Sequence, residues 1–299
     1  MKKRLARWRN VAVSTFKNWF AHDSMAESAA LAYYTVFSLA PVLLVVVAIA
    51  GAVFGQDAVR GRLVEQFGGL MGREQAALVQ TMLQKAEREN TNGLAAGIGF
   101  LTLIVGATAV FSQLQASLNR IWEVQPKPGH LFKDFIRKRI LSFAIVVAIG
   151  FVLLVSLVVS TGVEALHNYV AQRYSTEPLW LEWANALLSF ALFALLFAMI
   201  YRILPDARIP WRDVWLGAIV TSLLFVFGKW AIGLYLGKTA TTSAFGAAGS
   251  IVVLLLWVYY ASLIVLFGAE FTHAYAKILE EHVTPPEAGA KRQLRKKPA

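Results

Sequence analysis

Six apolar stretches, at about 30–54, 93–112, 140–163, 183–203, 214–236 and 249–272, are each long enough to cross a bilayer. A hydrocarbon core ~30 Å thick needs ~20 helical residues at 1.5 Å each, so all six qualify. The expected fold is an all-α polytopic membrane protein with six transmembrane helices. Of the 299 residues, 57% are hydrophobic and 16% charged, whereas a soluble domain carries roughly 25% charged residues. One membrane domain, 30–274, therefore takes most of the chain, between a basic segment at 1–29 and a basic tail at 275–299 that reads as disordered.

The positive charge lies on alternate connections. Residues 1–29, 113–139, 202–213 and 270–299 hold 21 Lys and Arg against 10 acids, and the remainder holds 8 of each. Lys and Arg in short loops stay in the cytoplasm, so both termini are expected inside, as an even number of spans requires. A net charge of +11 raises the question of nucleic acid. No aromatic-rich platform accompanies the basic runs. They fit retention in the cytoplasm and attraction to anionic inner-leaflet lipid, and no nucleic-acid partner is expected. With no cysteine present, disulfides, thiolate metal sites and cysteine nucleophiles are excluded.

Trp8, Val11, Phe16, Trp19 and Phe20 are spread through the basic N-terminal stretch, which predicts an uncleaved interfacial helix before the first span. In that span Pro41 removes a backbone donor and predicts a kink. Glu27, Tyr34, Ser38 and Pro41 share one helical face, expected to meet protein or water. The 55–92 connection repeats apolar residues at helical spacing (Val59, Leu63, Phe67; Val79, Met82, Ala86) around GGLMG. It reads as two amphipathic helices with a glycine hinge, lying on the outer surface or capping the bundle. Beyond the second span the helical period continues through Phe111, Leu114, Leu118 and Ile121, with Pro126 and Pro128 expected to stop it. Gly233 and Gly237 form a small-residue pair that admits close helix approach.

Ionisable residues within apolar spans are the best pointers to function, since an unpaired charge costs ~2.5–3.5 kcal/mol or more at the bilayer centre. Glu270, after the small residues Gly268 and Ala269, could couple to a proton or bind a cation or amine headgroup. Equally, it could be a structural carboxylate, with Arg202, Arg120, Gln113 and Asn119 as plausible partners at its depth. Lys229 either snorkels to the outer interface or contacts an anionic group. Glu27 suits a helix N-terminus electrostatically. The five histidines are dispersed, with no metal-binding spacing, no GxSxG elbow and no phosphate loop, so neither a catalytic site nor a metal or other cofactor is expected.

AALAYYTVFSLAPVL, FSQLQASLNRIWEV, YRILPDARIPWRDVWLGA, GKWAIGLYL and LLLWVYYASLIVLFGAEF, in that order, resemble the YihY/BrkB family of bacterial inner-membrane proteins. The resemblance covers roughly 15–280. It implies a six-helix inner-membrane protein from a family linked to serum resistance and virulence. The family's older ribonuclease BN label finds no hydrolytic metal cluster here. By family position, Glu270, Pro41, Asn119, Trp122, Pro205, Lys229 and Tyr235 are the residues to examine. Two functions are compatible with these features. One is transport or flipping of an amphipathic or lipidic substrate, with Glu270 and the polar face of the first span lining a cavity. The other is a non-catalytic scaffold that recruits partners through its basic surface and outer helices.

Overall fold

The computed structural model describes residues 2–88, 109–124, 179–207, 209–238 and 242–280. Among them helix is the only regular secondary structure. Helix α1 is Lys2–Ala21, α2 Ser24–Phe54, α3 Gln56–Met71 and α4 Arg73–Arg88. Helix α5 is described over 109–121. Then come α6 (Leu179–Ile203), α7 (Trp211–Lys238) and α8 (Thr242–Tyr275), which runs into a π-helical turn, Ala276–Glu280. Most of the expected second span, all of the third, Pro126, Pro128 and the tail beyond 280 lie outside the described residues.

Ala186–Ile203, Trp211–Lys229 and Ile251–Ile278 are long and apolar enough to cross a membrane. Helix α2, at 31 residues, spans ~46 Å at 1.5 Å per residue and runs through Pro41 without a break. Helix α8 packs against α2 on one side and α7 on another, and α6 packs against α7. Leu187, Ile219, Leu223, Phe227, Val252 and Leu256 point outward, an apolar exterior suited to lipid rather than water.

Lipid gives helices no hydrophobic reason to associate, so close packing must hold the α7–α8 seam. Among the described residues its close approaches come at Gly217, Gly228 and Gly268, where an added Cβ would collide with Thr272, Tyr260, and Thr221 plus Tyr201 respectively. The seam's hydroxyls are made safe for an apolar setting by bonding backward along their own helices. Thr221 donates to the Gly217 carbonyl at 2.7 Å, Ser222 to Ala218 at 2.8 Å and Thr272 to Gly268 at 2.7 Å. Further along, Phe225 meets Phe193, Phe197 and Trp257 at ring separations of 4.9, 5.7 and 5.4 Å.

The α3–α4 break comes at Gly72 (φ 98°), the last glycine of GGLMG, as the sequence predicts, and on α4 Ala76, Val79 and Leu83 are buried and Met82 is half-buried, while the side chain of Ala86 lies outside the described residues. Both helices lie against α2, at the end of the bundle away from α1. Helix α5 stops before the prolines. Val124 N–H bonds the Asn119 carbonyl at 2.9 Å and Glu123 N–H that of Arg120 at 3.1 Å, with Glu123 left-handed at φ 52°. That pair of bonds is a Schellman closure, which satisfies the last carbonyls without any proline. Finally, α1 does not stand apart from the spans: Trp8 meets Tyr275 at 5.7 Å, and Phe16 and Trp19 meet Phe267 at 5.2 and 6.2 Å. It runs antiparallel along the last turns of α8.

Candidate functional site

The N-terminus of α2, the C-termini of α5, α6 and α8, and all of α1 meet at one end of the bundle, and polar side chains join them. The α1–α2 link turns at Asp23, left-handed with φ 52°. His22, just before it, is thereby brought to α8, where its Nδ1 lies 2.6 Å from Glu270 Oε1. The Glu270 side chain is 0% exposed and that of His22 20% exposed. Among the described residues Glu270 Oε2 has no hydrogen-bond partner, and neither does His273 Nδ1, one turn further along α8. The His273 ring rests on Trp122 at 5.1 Å. Glu123 and Lys277 meet at 3.3 Å on the exposed rim.

A second cluster ties α2 to α5. Glu27 accepts hydrogen bonds from Gln113 and Ser117, both at 2.7 Å, and pairs with Arg120 at 2.5 Å. It lies in the first turn of α2, where helix-dipole attraction adds to these contacts. A third ties α5 to the α6–α7 turn. The Asn119 amide donates to the Asp206 carboxylate at 2.9 Å and accepts from the Asp206 backbone N–H at 2.8 Å. Inside that turn Pro205 is buried. Arg202 closes it by donating to the Ile209 carbonyl at 2.5 Å and lying over the Trp211 ring at 5.8 Å.

The sequence candidates therefore divide. Glu270 is buried as its position implies, but its partner is His22, not Arg202, Arg120, Gln113 or Asn119. Gln113 and Asn119 serve two different clusters. Ser38 is buried and donates to the Tyr34 carbonyl of its own helix, while the Tyr34 ring points outward beside Tyr33. Trp122 is buried against His273. Gly268 is a packing contact, and Lys229 is exposed. The side chains of Pro41 and Tyr235 lie outside the described residues. A cleft of about 340 Å³ between α3 and α4, lined by Asp57, Arg60, Gln80 and Gln84 among others, is remote from all of these.

Two participants carried no sequence signal as sites. His22 looked like one of five scattered histidines. Tyr201, fully buried, donates its one proton to the Val265 carbonyl at 2.8 Å, and its oxygen lies 2.9 Å from Thr221 Oγ1, so that it reaches from α6 to both α7 and α8. Its place inside the YRILPDA motif was the available clue. No group of three or more potential metal-ligating side chains occurs among the described residues.

FSQLQASLNRIWEV and YRILPDARIPWRDVWLGA, two of the segments that carried the family resemblance, lie at this end of the bundle, and residues 15–292 match the family described as Virulence factor BrkB. The chain belongs to that family. It is 32% identical over 267 residues to a UPF0761 membrane protein of Alteromonas mediterranea, covering 86% of this chain and 85% of that protein. A UPF0761 membrane protein of Verminephrobacter eiseniae is 30% identical over 274 residues, covering 89% of this chain and 62% of the relative. One from Psychrobacter is 25% identical over 287 residues, covering 93% and 50%. The chain thus spans between half and two thirds of several relatives it matches. Their names state a membrane protein and no catalytic activity. No solved structure matches.

Proposed function

We propose that this BrkB-family membrane protein moves an amphipathic or lipidic substrate across a bacterial inner membrane, with Glu270 as its working carboxylate. The observation that carries the reading is Glu270 itself, wholly buried in an apolar span with one oxygen unpartnered among the described residues. A carboxylate left so is expensive in lipid and is retained where it handles an ion or a polar headgroup. The accompanying topology is six spans with both termini cytoplasmic, the basic α1 end facing anionic inner-leaflet lipid. No enzymatic step is assigned.

The test is reconstitution in liposomes, following fluorescent-lipid translocation together with solute and proton flux. Glu270→Gln should abolish movement, whereas Ser38→Ala, which removes only a bond internal to α2, should retain most of it. Equal activity in wild type and Glu270→Gln would remove the assignment.

A second reading, a non-catalytic scaffold, draws on the other candidates. Glu27, Gln113, Asn119 and Ser38 all spend their hydrogen bonds within the helix bundle. Under that reading, deletion of 56–90 or 283–299 would abolish capture of envelope partners, and Glu270→Gln would leave it intact.

A further inference from the structure

We infer that the ion handled at Glu270 is a proton, and that His22 passes it between the buried carboxyl group and the water at the α1 end of the bundle. The inference rests on the transport reading for its purpose, but its geometry stands separately. Glu270 Oε1 and His22 Nδ1 are 2.6 Å apart, within the range of a charge-assisted hydrogen bond. The imidazole is partly exposed while the carboxyl group is closed off, so the ring bridges a dry site and a wet surface. Unlike a guanidinium, an imidazole has one ring nitrogen that can accept a proton while the other releases one.

The step balances as a proton transfer. A protonated Glu270 gives its proton to the Nδ1 lone pair, leaving carboxylate and imidazolium, and the imidazolium then loses its Nε2 proton to water. The ring is left with Nδ1–H donating to the carboxylate. Other charged and titratable groups surround this end. They are His273 on the same helix, Lys277 on the π turn, Glu123 after α5, Glu27 at the start of α2 and Asp213 at the start of α7. Glu123 is already paired with Lys277 at the rim, and Glu27 with Arg120. The His273 ring is buried against Trp122. Among the described residues, His22 is the one in hydrogen-bond contact with the Glu270 carboxyl group.

The experiment is infrared difference spectroscopy of the protein in proteoliposomes after a pH jump. Wild type should show a carboxylic-acid C=O band that grows on acidification and is absent from Glu270→Gln. His22→Gln keeps an amide donor for Oε1, and with it the fold, but cannot shuttle a proton. Its band should form and decay at least about a hundredfold more slowly, the low end for loss of a positioned acid–base group. Imidazole added to His22→Ala should restore the rate, which a purely structural histidine would not permit. A band that persists in Glu270→Gln, is absent from wild type at every pH, or keeps its rate in His22→Gln overturns the relay. If the band behaves as expected while wild type moves no lipid or solute, the transport reading falls and the relay stands. Substrate movement without a titrating acid removes the relay alone.

Discussion

Gly268→Ala puts one methyl group into a close-packed part of the helix bundle, and the structure fixes what it meets. The new Cβ would lie 3.0 Å from Thr221 Cβ, with Thr221 Oγ1 and the Tyr201 hydroxyl nearer still. Through those groups α6 reaches α7 and α8, with the Tyr201 proton given to the Val265 carbonyl. Overpacking costs about 1–3 kcal/mol. Displacing the Tyr201 hydroxyl forfeits that hydrogen bond, about 1 kcal/mol. The better helix propensity of alanine returns about 1 kcal/mol. The net loss should be about 1–3 kcal/mol, lowering a thermal midpoint in detergent by several degrees. Gly61→Ala in α3 is the control, because no atom lies within 4 Å of its Cβ position. It should stabilise by up to about 1 kcal/mol. Adding Tyr201→Phe to Gly268→Ala removes one obstructing hydroxyl and should cost less than the separate losses combined. A Gly268→Ala protein as stable as wild type, or strictly additive losses, would refute the close-packed seam.

Asn119→Ala removes a reciprocal pair of hydrogen bonds and should cost about 1–2 kcal/mol, since exposed Asp206 can rehydrate. Asn119→Asp, which sets a carboxylate against a carboxylate, should cost more in the same unfolding assay. Glu123→Gly relieves a left-handed residue at the end of α5 and should stabilise by about 1 kcal/mol, because the Lys277 pair it loses is exposed. Destabilisation by that change would argue against the Schellman closure.

Helix length and identity were legible because a bilayer imposes one requirement, an apolar run of fixed length, and the 183–203, 214–236 and 249–272 runs meet it. The same was true of GGLMG as a break, since only glycine adopts the φ found at Gly72 without penalty. Pairing was not legible. The expectation that Glu270 would find an arginine rested on depth alone, whereas a single left-handed residue, Asp23, swings His22 onto α8 instead. The expected GxxxG contact at Gly233 and Gly237 lies outside the described side-chain surroundings. Among the described residues the seam uses Gly217, Gly228 and Gly268, whose partners Thr272, Tyr260, Thr221 and Tyr201 come from other helices, so no spacing along one helix announces them. Ser38 and Tyr34 share a face by periodicity, yet α8 covers only part of the α2 surface and leaves the Tyr34 ring outside. For the site, burial of Glu270 was readable from composition, and its partner was not.

The docking of α1 so that His22 meets Glu270 is the claim on which the rest depends, and a double-mutant cycle in proteoliposomes tests it most directly. Unfolding free energies would be measured for wild type, His22→Ala, Glu270→Gln and the double variant. Removing the imidazole alone leaves a buried carboxyl group with neither oxygen matched, a penalty that Glu270→Gln lessens. The two changes should therefore fall short of additivity by about 1 kcal/mol or more. Losses that add to within about 0.3–0.5 kcal/mol would contradict the contact, and the working carboxylate would have to be sought elsewhere.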